Sequence, residues 1–341
     1  MSMLDTQTMP AKIEQWLAAN VAPAKVNAYE IMTGGFSRVM AKVSVEWADG
    51  STETFVLRGD PPPEIATLAS DRRIEWELLS DLCTNTRVPI PAARWFVSDE
   101  SLFGSKAIFI DHVDGGSLQA SLDGGFDQGS SVESLVAMLA NISQVTADQV
   151  PSLEQPSSWE SHIDSLISRW DAVADRHSES LPIVRYIAAW LDRRRPAPAP
   201  LTLVHGDFQQ GNVVDNPDGW LMVDWEFSRI GDPREDLGYY NAYATSVPPS
   251  LIEPDTEAFL AAYRAATGLS EEQVNPVTLG YFTVLSTIGT LDSLYDGLDG
   301  MIRGERHGVA VAYNSQLIPV GNDNFVNAID GLEAALAAAE G

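Results

Sequence analysis

The sequence predicts an α+β fold in two lobes: a β-rich N-terminal lobe over residues 1–114 and a mainly helical C-terminal lobe over residues 115–341. Three observations carry this. Runs rich in β-branched and aromatic residues, broken by glycine turns, crowd the N-terminal part. From around Gly116 the apolar spacing becomes helical. Among the helices lies one strand–turn–strand segment, "LVHGDFQQGNVVDNPDGWLMVDWE", Leu203 to Glu226.

The elements follow in order. "PAKIEQWLAAN", Pro10–Asn20, spaces Ile13, Trp16 and Leu17 as a helix does. "VNAYEIMTGGFSRVMAKVSVEWADGSTETFVLR" reads as strand, glycine turn, strand, "ADG" turn, strand. "DRRIEWELLSDL" reads as a helix with Ile74, Leu78 and Leu82 on one side, and "AARWFVS" and "SKAIFIDHV" add two strands. "GGFDQGSS", Gly124–Ser131, reads as a loop. Trp159, Ile163, Leu166, Ile167, Trp170 and Val173 form one apolar stripe of core character. A helix over Leu181–Leu191 is closed by the linker "RRRPAPAP". Helices resume at Glu235–Tyr243, Thr256–Ala266, Pro276–Arg303 and Asn324–Ala339, and no internal repeat is visible.

Composition bounds the function. A chain of 341 residues with 45% hydrophobic content suits two lobes with a large core. Its one cysteine, Cys83, allows no intrachain disulfide and fits a reducing cytoplasm. The first residues carry no basic-then-apolar signal, and no apolar run reaches the ~18 residues of a membrane span. A net charge of −27 argues against nucleic acid and anionic membranes as partners. Oligomeric state has no signature.

The hairpin draws the chemistry together. "NPDG", Asn216–Gly219, is a strong turn signal. A four-residue loop pairs Asp215 with Trp220 and, stepping outward, Asn212 with Val223 and Gly211 with Asp224. Asn212 and Asp224 then meet at the open end, with Asp207 just before the first strand. An amide oxygen and a carboxylate converging suit a hard divalent cation, and a further carboxylate can serve as a base. The same geometry also describes an ordinary hairpin with a polar mouth.

H-G-D-x-x-x-x-N at His205–Asn212, D-W-E at Asp224–Glu226 and "GDPREDLG" at Gly231–Gly238 together resemble the aminoglycoside phosphotransferase and choline kinase families. These share the protein-kinase-like fold, whose small lobe has five strands with a helix after the third. The resemblance implies that Asp207 orients and deprotonates the acceptor hydroxyl and that Asn212 and Asp224 hold Mg2+. It implies a supporting role for His205. Glu226 would reach a second metal through water, form an ion pair or sit at the surface. Asp236 would cap the helix beginning near Glu235 and brace the catalytic loop, and Asp232 has the same structural character.

For the nucleotide, the resemblance points to "TGGFSR", where Gly34, Gly35, Phe36 and Ser37 would close over phosphates. A plain hairpin turn is the alternative there. Where kinases carry a strand lysine, "FVLRGDPPP" offers Arg58, wording similar to the phosphotransferase domains found alongside acyl-CoA dehydrogenases. Arginine can still grip phosphate bidentately. Glu75 is its expected helix partner; Glu77 points ~200° away. Backbone groups of Asp111, His112 and Val113 would bind adenine.

The resemblance thus implies transfer of the γ-phosphate of ATP, or of GTP in its place, to a hydroxyl of a small molecule with Mg2+. The competing reading is a catalytically silent, pseudokinase-like regulatory module. A metal-dependent hydrolase lacks a histidine-rich ligand set. The acceptor is open, with the Arg58 strand tilting toward a hydroxylated acid or acyl metabolite. "TLDSLYDGLDG" puts Asp292, Asp296 and Asp299 on one helix face. That face would receive a cationic acceptor, or be a solvated acidic surface.

Overall fold

The computed structural model describes residues 3–32, 39–60, 72–125, 127–176, 182–305, 312 and 317–340. The phosphate-loop reading over Gly34, Gly35, Phe36 and Ser37 lies outside them.

Strand alternation builds the N-terminal lobe. Helix α1 (Met9–Asn20) precedes β1 (Ala24–Met32), β2 (Val39–Trp47) and β3 (Thr52–Gly59). Helix α2 (Arg72–Asn85), β4 (Ala93–Val97), the short α3 (Glu100–Phe103) and β5 (Ala107–Asp111) complete it. The sheet is antiparallel, in the order β1-β2-β3-β5-β4. Met9, Ile13 and Leu17 of α1 pack with Val43, Val45, Phe55, Leu57 and Phe109 on one face. Period-two alternation then sends Arg58, next after Leu57, to the opposite face, toward the other lobe.

Helix α2 belongs to both lobes. Leu78, Leu79 and Leu82 join a core with Leu203, Phe208, Val213 and Met222. The expected stripe through Ile74 is corrected: Ile74 is 45% exposed, and the buried side begins with Arg72 and Glu75. Charge explains the rotation, because both residues are drawn inward to partners in the cleft.

The C-terminal lobe runs β6 (Gly116–Ser117), α4 (Leu118–Asp123), α5 (Gln128–Ser143), α6 (Trp159–Arg176) and α7 (Pro182–Arg193). It continues through β7 (Thr202–Val204), β8 (Val213–Asn216), β9 (Gly219–Met222) and β10 (Arg229–Gly231). It ends in α8 (Arg234–Ser246), α9 (Thr256–Thr267), α10 (Pro276–Leu285), α11 (Ile288–Ile302) and α12 (Leu317–Glu340). Two sheet fragments lie among the helices, β6-β8-β9 and β10-β7.

Two sequence readings change here. The Gly124–Ser131 loop ends early, because the Asp127 side chain accepts the Gly129 N–H at 3.2 Å and starts α5 at Gln128. The single helix expected over Pro276–Arg303 breaks into α10 and α11. Thr283 and Thr287 turn their hydroxyls onto the Leu279 and Val284 carbonyls, each at 2.8 Å, and such back-bonding bends helices. Helix α8 crosses α10 in backbone contact at Gly238, where a Cβ would run into the Phe282 carbonyl group. The described part of α12 starts at Leu317 rather than Asn324.

Candidate active site

The chain leaves β7 through His205, Gly206 and Asp207. Gly206 has φ +84°, and a Cβ there would strike the Phe227 carbonyl oxygen, so the turn requires glycine. Asp236, buried in the first turn of α8, holds this turn. Its carboxylate accepts the His205 N–H at 2.8 Å and the Gly206 N–H at 2.9 Å. Burial pushes the Asp236 pKa up to about 7, against the pull of those two bonds. The expected cap is not formed: the residue before α8 is Pro233, and Asp236 turns back to the loop instead. Deeper in the same corner, Glu235 takes Arg229 and His162, and Asp232 takes Arg234 and Trp159.

His205 is fully buried. Its Nδ1 accepts the Asp207 N–H at 3.2 Å, and its Nε2–H donates to the Val223 carbonyl at 3.0 Å. One neutral tautomer satisfies both bonds, and burial pushes its pKa down to about 4. His205 thus ties the residue at 207 to the one preceding Asp224.

The hairpin keeps the expected register. Asp215 pairs with Trp220, and the ladder extends to Asn216 opposite Gly219, so the loop itself is only Pro217–Asp218. At the open end the Val223 N–H donates to the Asn212 carbonyl at 2.9 Å. Asn212 Nδ2 donates to the Asp207 carbonyl at 3.0 Å and to Asp207 Oδ2 at 2.7 Å. Gln209 Nε2 donates to Asp207 Oδ1 at 3.0 Å. With its amide nitrogen facing Asp207, Asn212 has its Oδ1 as the remaining ligating atom. Asp224 sits at φ +70°, a left-handed conformation that a non-glycine residue holds only where its surroundings demand it.

These residues fit Mg2+. One carboxylate and one amide oxygen are the sparse, hard donor set of an ion that arrives with phosphates. Among the described residues no group of three or more His, Cys, Asp or Glu could hold a metal by itself.

Arg58 spans the lobes. Its Nε stands 3.1 Å from Glu75, its Nη2 contacts Asp224 and the same nitrogen lies 3.6 Å from Glu226. Burial works against the guanidinium charge, but these carboxylates outweigh it and raise the pKa further. Glu75, not Glu77, faces Arg58; Glu77 pairs with Arg73 at the surface. The Glu226 side chain is buried in ion pairs with Arg58 and Arg72, not at the surface. Arg72, which sequence reasoning missed, is buried against Glu75, Glu226 and Asp60. Its signal was an arginine at i−3 from Glu75 on α2.

Arg58 therefore carries a mutational expectation. Arg58→Lys should raise the Michaelis constant for nucleotide several-fold, because one ammonium cannot replace nitrogens aimed at separate carboxylates. Arg58→Ala should add a loss of about 3–5 kcal/mol of stability by leaving buried acids unpaired. Steady-state kinetics beside thermal melts check this; unchanged kinetics with a lowered melting temperature would make Arg58 purely structural.

At the lobe junction the Asp111 side chain is bonded by Arg94 at 2.6 Å. The Asp111 N–H donates to Ala92 at 2.8 Å and the His112 N–H to Thr54 at 3.1 Å, so both amides are committed within the N-terminal lobe. On α11, Asp292 is paired with Arg176 and lies 3.6 Å from Arg169, so its charge is balanced from α6; Asp296 is exposed.

Human acyl-CoA dehydrogenase family member 11 is 25% identical over 199 residues, covering 56% of this chain but 25% of that protein. Mouse acyl-CoA dehydrogenase family member 10 is 26% identical over 192 residues, 54% of this chain and 18% of that one. The chain thus spans a minor part of the length of these relatives. Among solved structures, a Ralstonia eutropha protein assigned as an aminoglycoside phosphotransferase superposes with TM-score 0.71 at 17% identity, over 94% of this chain and 98% of that one. The GDP complex of aminoglycoside 2'-phosphotransferase-IIIa superposes with TM-score 0.63 at 14% identity, over 94% and 99%. These likenesses establish the protein-kinase-like fold. A family model described as the phosphotransferase enzyme family matches residues 40–274, most of both lobes and the whole catalytic segment, and the chain belongs to that family.

Proposed function

We propose that this protein transfers the γ-phosphate of ATP, or of GTP in its place, to a hydroxyl of a small molecule, with Mg2+. The observation that supports it best is the Asp207 carboxylate, bonded by Asn212 and Gln209 beside Asp224. In this reading Asp207 accepts the acceptor's hydroxyl proton, and Gln209 and Asn212 keep its oxygens aimed. Asn212 Oδ1 and Asp224 would hold the cation, which offsets phosphate charge when bound. Arg58 would grip the phosphates, with Glu75 and Glu226 fixing its fork. For adenine we assign the Val113 N–H as donor and the Asp111–Val113 carbonyls as acceptors, since the Asp111 and His112 N–H groups are engaged within the N-terminal lobe. A silent regulatory module has no support from the site, where Asp207, Asn212 and Asp224 all stand together.

For the acceptor we propose a hydroxylated acid or acyl compound. Its support is that the relatives carrying a segment like this one are acyl-CoA dehydrogenase family members. A cationic acceptor is disfavoured by the Asp292 pairing with Arg169 and Arg176. We propose a cytoplasmic location on the single cysteine, Cys83. Among the described residues no helix is long and apolar enough to cross a membrane.

The base sets the expected pH dependence. Burial pushes the Asp207 pKa up to about 6, with the Asp224 charge adding to it and bonds from Tyr239, Asn212 and Gln209 opposing it. Asp207 works as the carboxylate, so kcat/KM, which reports the free enzyme, should rise with pH and level off above about 6. An acid limb at the ordinary carboxylate value, about 4, would contradict this. A screen of hydroxylated acids and acyl compounds with Mg2+-ATP and Mg2+-GTP, read as acceptor-dependent nucleoside diphosphate release, tests the function itself. No acceptor-dependent release from any member would count against the acceptor class.

A further inference from the structure

Resting on the phosphotransferase reading above, we propose that Gln209 Oε1 and the Tyr243 hydroxyl form an acceptor subsite over Gly211. It takes a second hydroxyl next to the one that Asp207 activates, so the preferred acceptor carries two adjacent hydroxyls.

Local geometry builds the subsite. Gln210–Asn212 make one tight turn, closed by the Asn212 N–H on the Gln209 carbonyl at 3.0 Å. Gln210 is fully buried and pins that turn to the end of α8. Its Nε2 donates to Gln119 Oε1 at 2.8 Å and to the Val247 and Pro249 carbonyls, each at 3.2 Å. The turn brings the Gln209 side chain back to Gly211, where a Cβ would stand 3.2 Å from Gln209 Oε1 and 3.9 Å from the Tyr243 hydroxyl. Unlike Gly206, Gly211 does not hold a left-handed φ, so its backbone does not require glycine. What glycine leaves there is room beside two polar atoms from different elements.

Those atoms are available. Gln209 Nε2 donates to Asp207 Oδ1 at 3.0 Å, and a carboxylate only accepts, so the amide is oriented with Oε1 turned away from Asp207. Among the described residues neither Gln209 Oε1 nor the Tyr243 hydroxyl has a hydrogen-bond partner. Burial, and then the Asp207 charge, hold the Tyr243 pKa above its ordinary value, so the phenol keeps a proton to give. A hydroxyl satisfies both groups at once, donating to the amide oxygen and accepting from the phenol. A carboxylate cannot donate to the amide, and an ammonium cannot accept from the phenol.

The subsite lies on the acceptor's side of Asp207. Arg58, assigned to the nucleotide, reaches Asp224 from the N-terminal lobe, whereas Tyr243 belongs to α8 in the C-terminal lobe. Gln209 joins the subsite to the base, with one amide atom on Asp207 Oδ1 and the other beside Gly211. A hydroxyl on the carbon next to the reacting one spans that short step.

Matched acceptors test this: glycerate against lactate and tartrate against malate, as free acids and as coenzyme A thioesters, with Mg2+-ATP as phosphate donor. Each pair differs by one hydroxyl adjacent to another. The dihydroxy member should have a kcat/KM higher by about tenfold or more, because a subsite built for a hydroxyl rejects the analogue that lacks it. Gly211→Ala puts a methyl into the space and should bring that ratio to within about twofold of unity. Tyr243→Phe keeps the ring and should lower the ratio about three- to tenfold, the worth of one hydrogen bond. The ratio is the readout because both members of a pair share Asp207 and the same nucleotide. A monohydroxy member phosphorylated as well as its partner, or a wild-type ratio in either variant, would overturn this inference and leave the proposed function standing. No phosphomonoester from any pair would overturn it together with the acceptor class.

Discussion

Asp207→Asn is expected to lower phosphate-transfer turnover about 10²–10⁴-fold while nucleotide affinity stays near wild type. The substitution is close to isosteric but removes the proton acceptor. It also disturbs the orientation, because both carboxylate oxygens are in use: Oδ1 accepts from Gln209 and Oδ2 from Asn212. An amide has one oxygen for these donors, so one of them meets an NH2 group instead. The nucleotide side is untouched, since Arg58, Glu75 and Asp224 remain. Turnover is read by coupled assay and affinity by calorimetry on the same preparation. Turnover near wild type would remove Asp207 from the mechanism, and a matching loss of nucleotide affinity would reduce it to a structural residue.

Asp224→Ala should weaken Mg2+-nucleotide binding at least about tenfold, and leave metal-free nucleotide binding unchanged or stronger. The asymmetry follows from charge. Asp224 belongs to a cluster in which, among the described residues, the acids Asp60, Glu75, Asp224 and Glu226 gather around Arg58 and Arg72. Removing one acid lessens repulsion toward phosphate, so any loss must come through the cation. Stability should change little, because Arg58 keeps Glu75 and Glu226. The backbone at φ +70° remains strained with alanine. Calorimetric titration of ATP with and without Mg2+ separates the effects. The same metal dependence in variant and wild type would take Asp224 out of the cation site.

The local parts of this site were legible in the sequence, and the long-range parts were not. The turn "NPDG" and its flanking apolar strands set the register that brings Asn212 beside Asp224, because a hairpin is a local object. Five strands with a helix after the third were readable for the same reason. Arg72 was hidden because α2 was read by its apolar residues, while its buried side is chosen by charges on β3 and after β9. Ile74 was misplaced by the same forces. Asp236 was read both as a cap and as a brace for the loop; the cap came from local rules that favour an acid in the first turn of a helix, whereas only the brace forms, to partners 30 and 31 residues earlier in the chain. The α10–α11 break was hidden because threonine back-bonding lies inside a segment that otherwise looks continuously helical.

The central claim is that this chain moves a nucleotide's terminal phosphate to a small-molecule hydroxyl. Phosphorus NMR of the wild-type protein with Mg2+-ATP and a pool of hydroxylated acids and acyl compounds tests it most directly. The account predicts a new phosphomonoester resonance growing as the γ-phosphate signal decays, absent without Mg2+ and suppressed in Asp207→Asn. Decay of ATP to inorganic phosphate alone, or a phosphomonoester formed equally fast by Asp207→Asn, would contradict it.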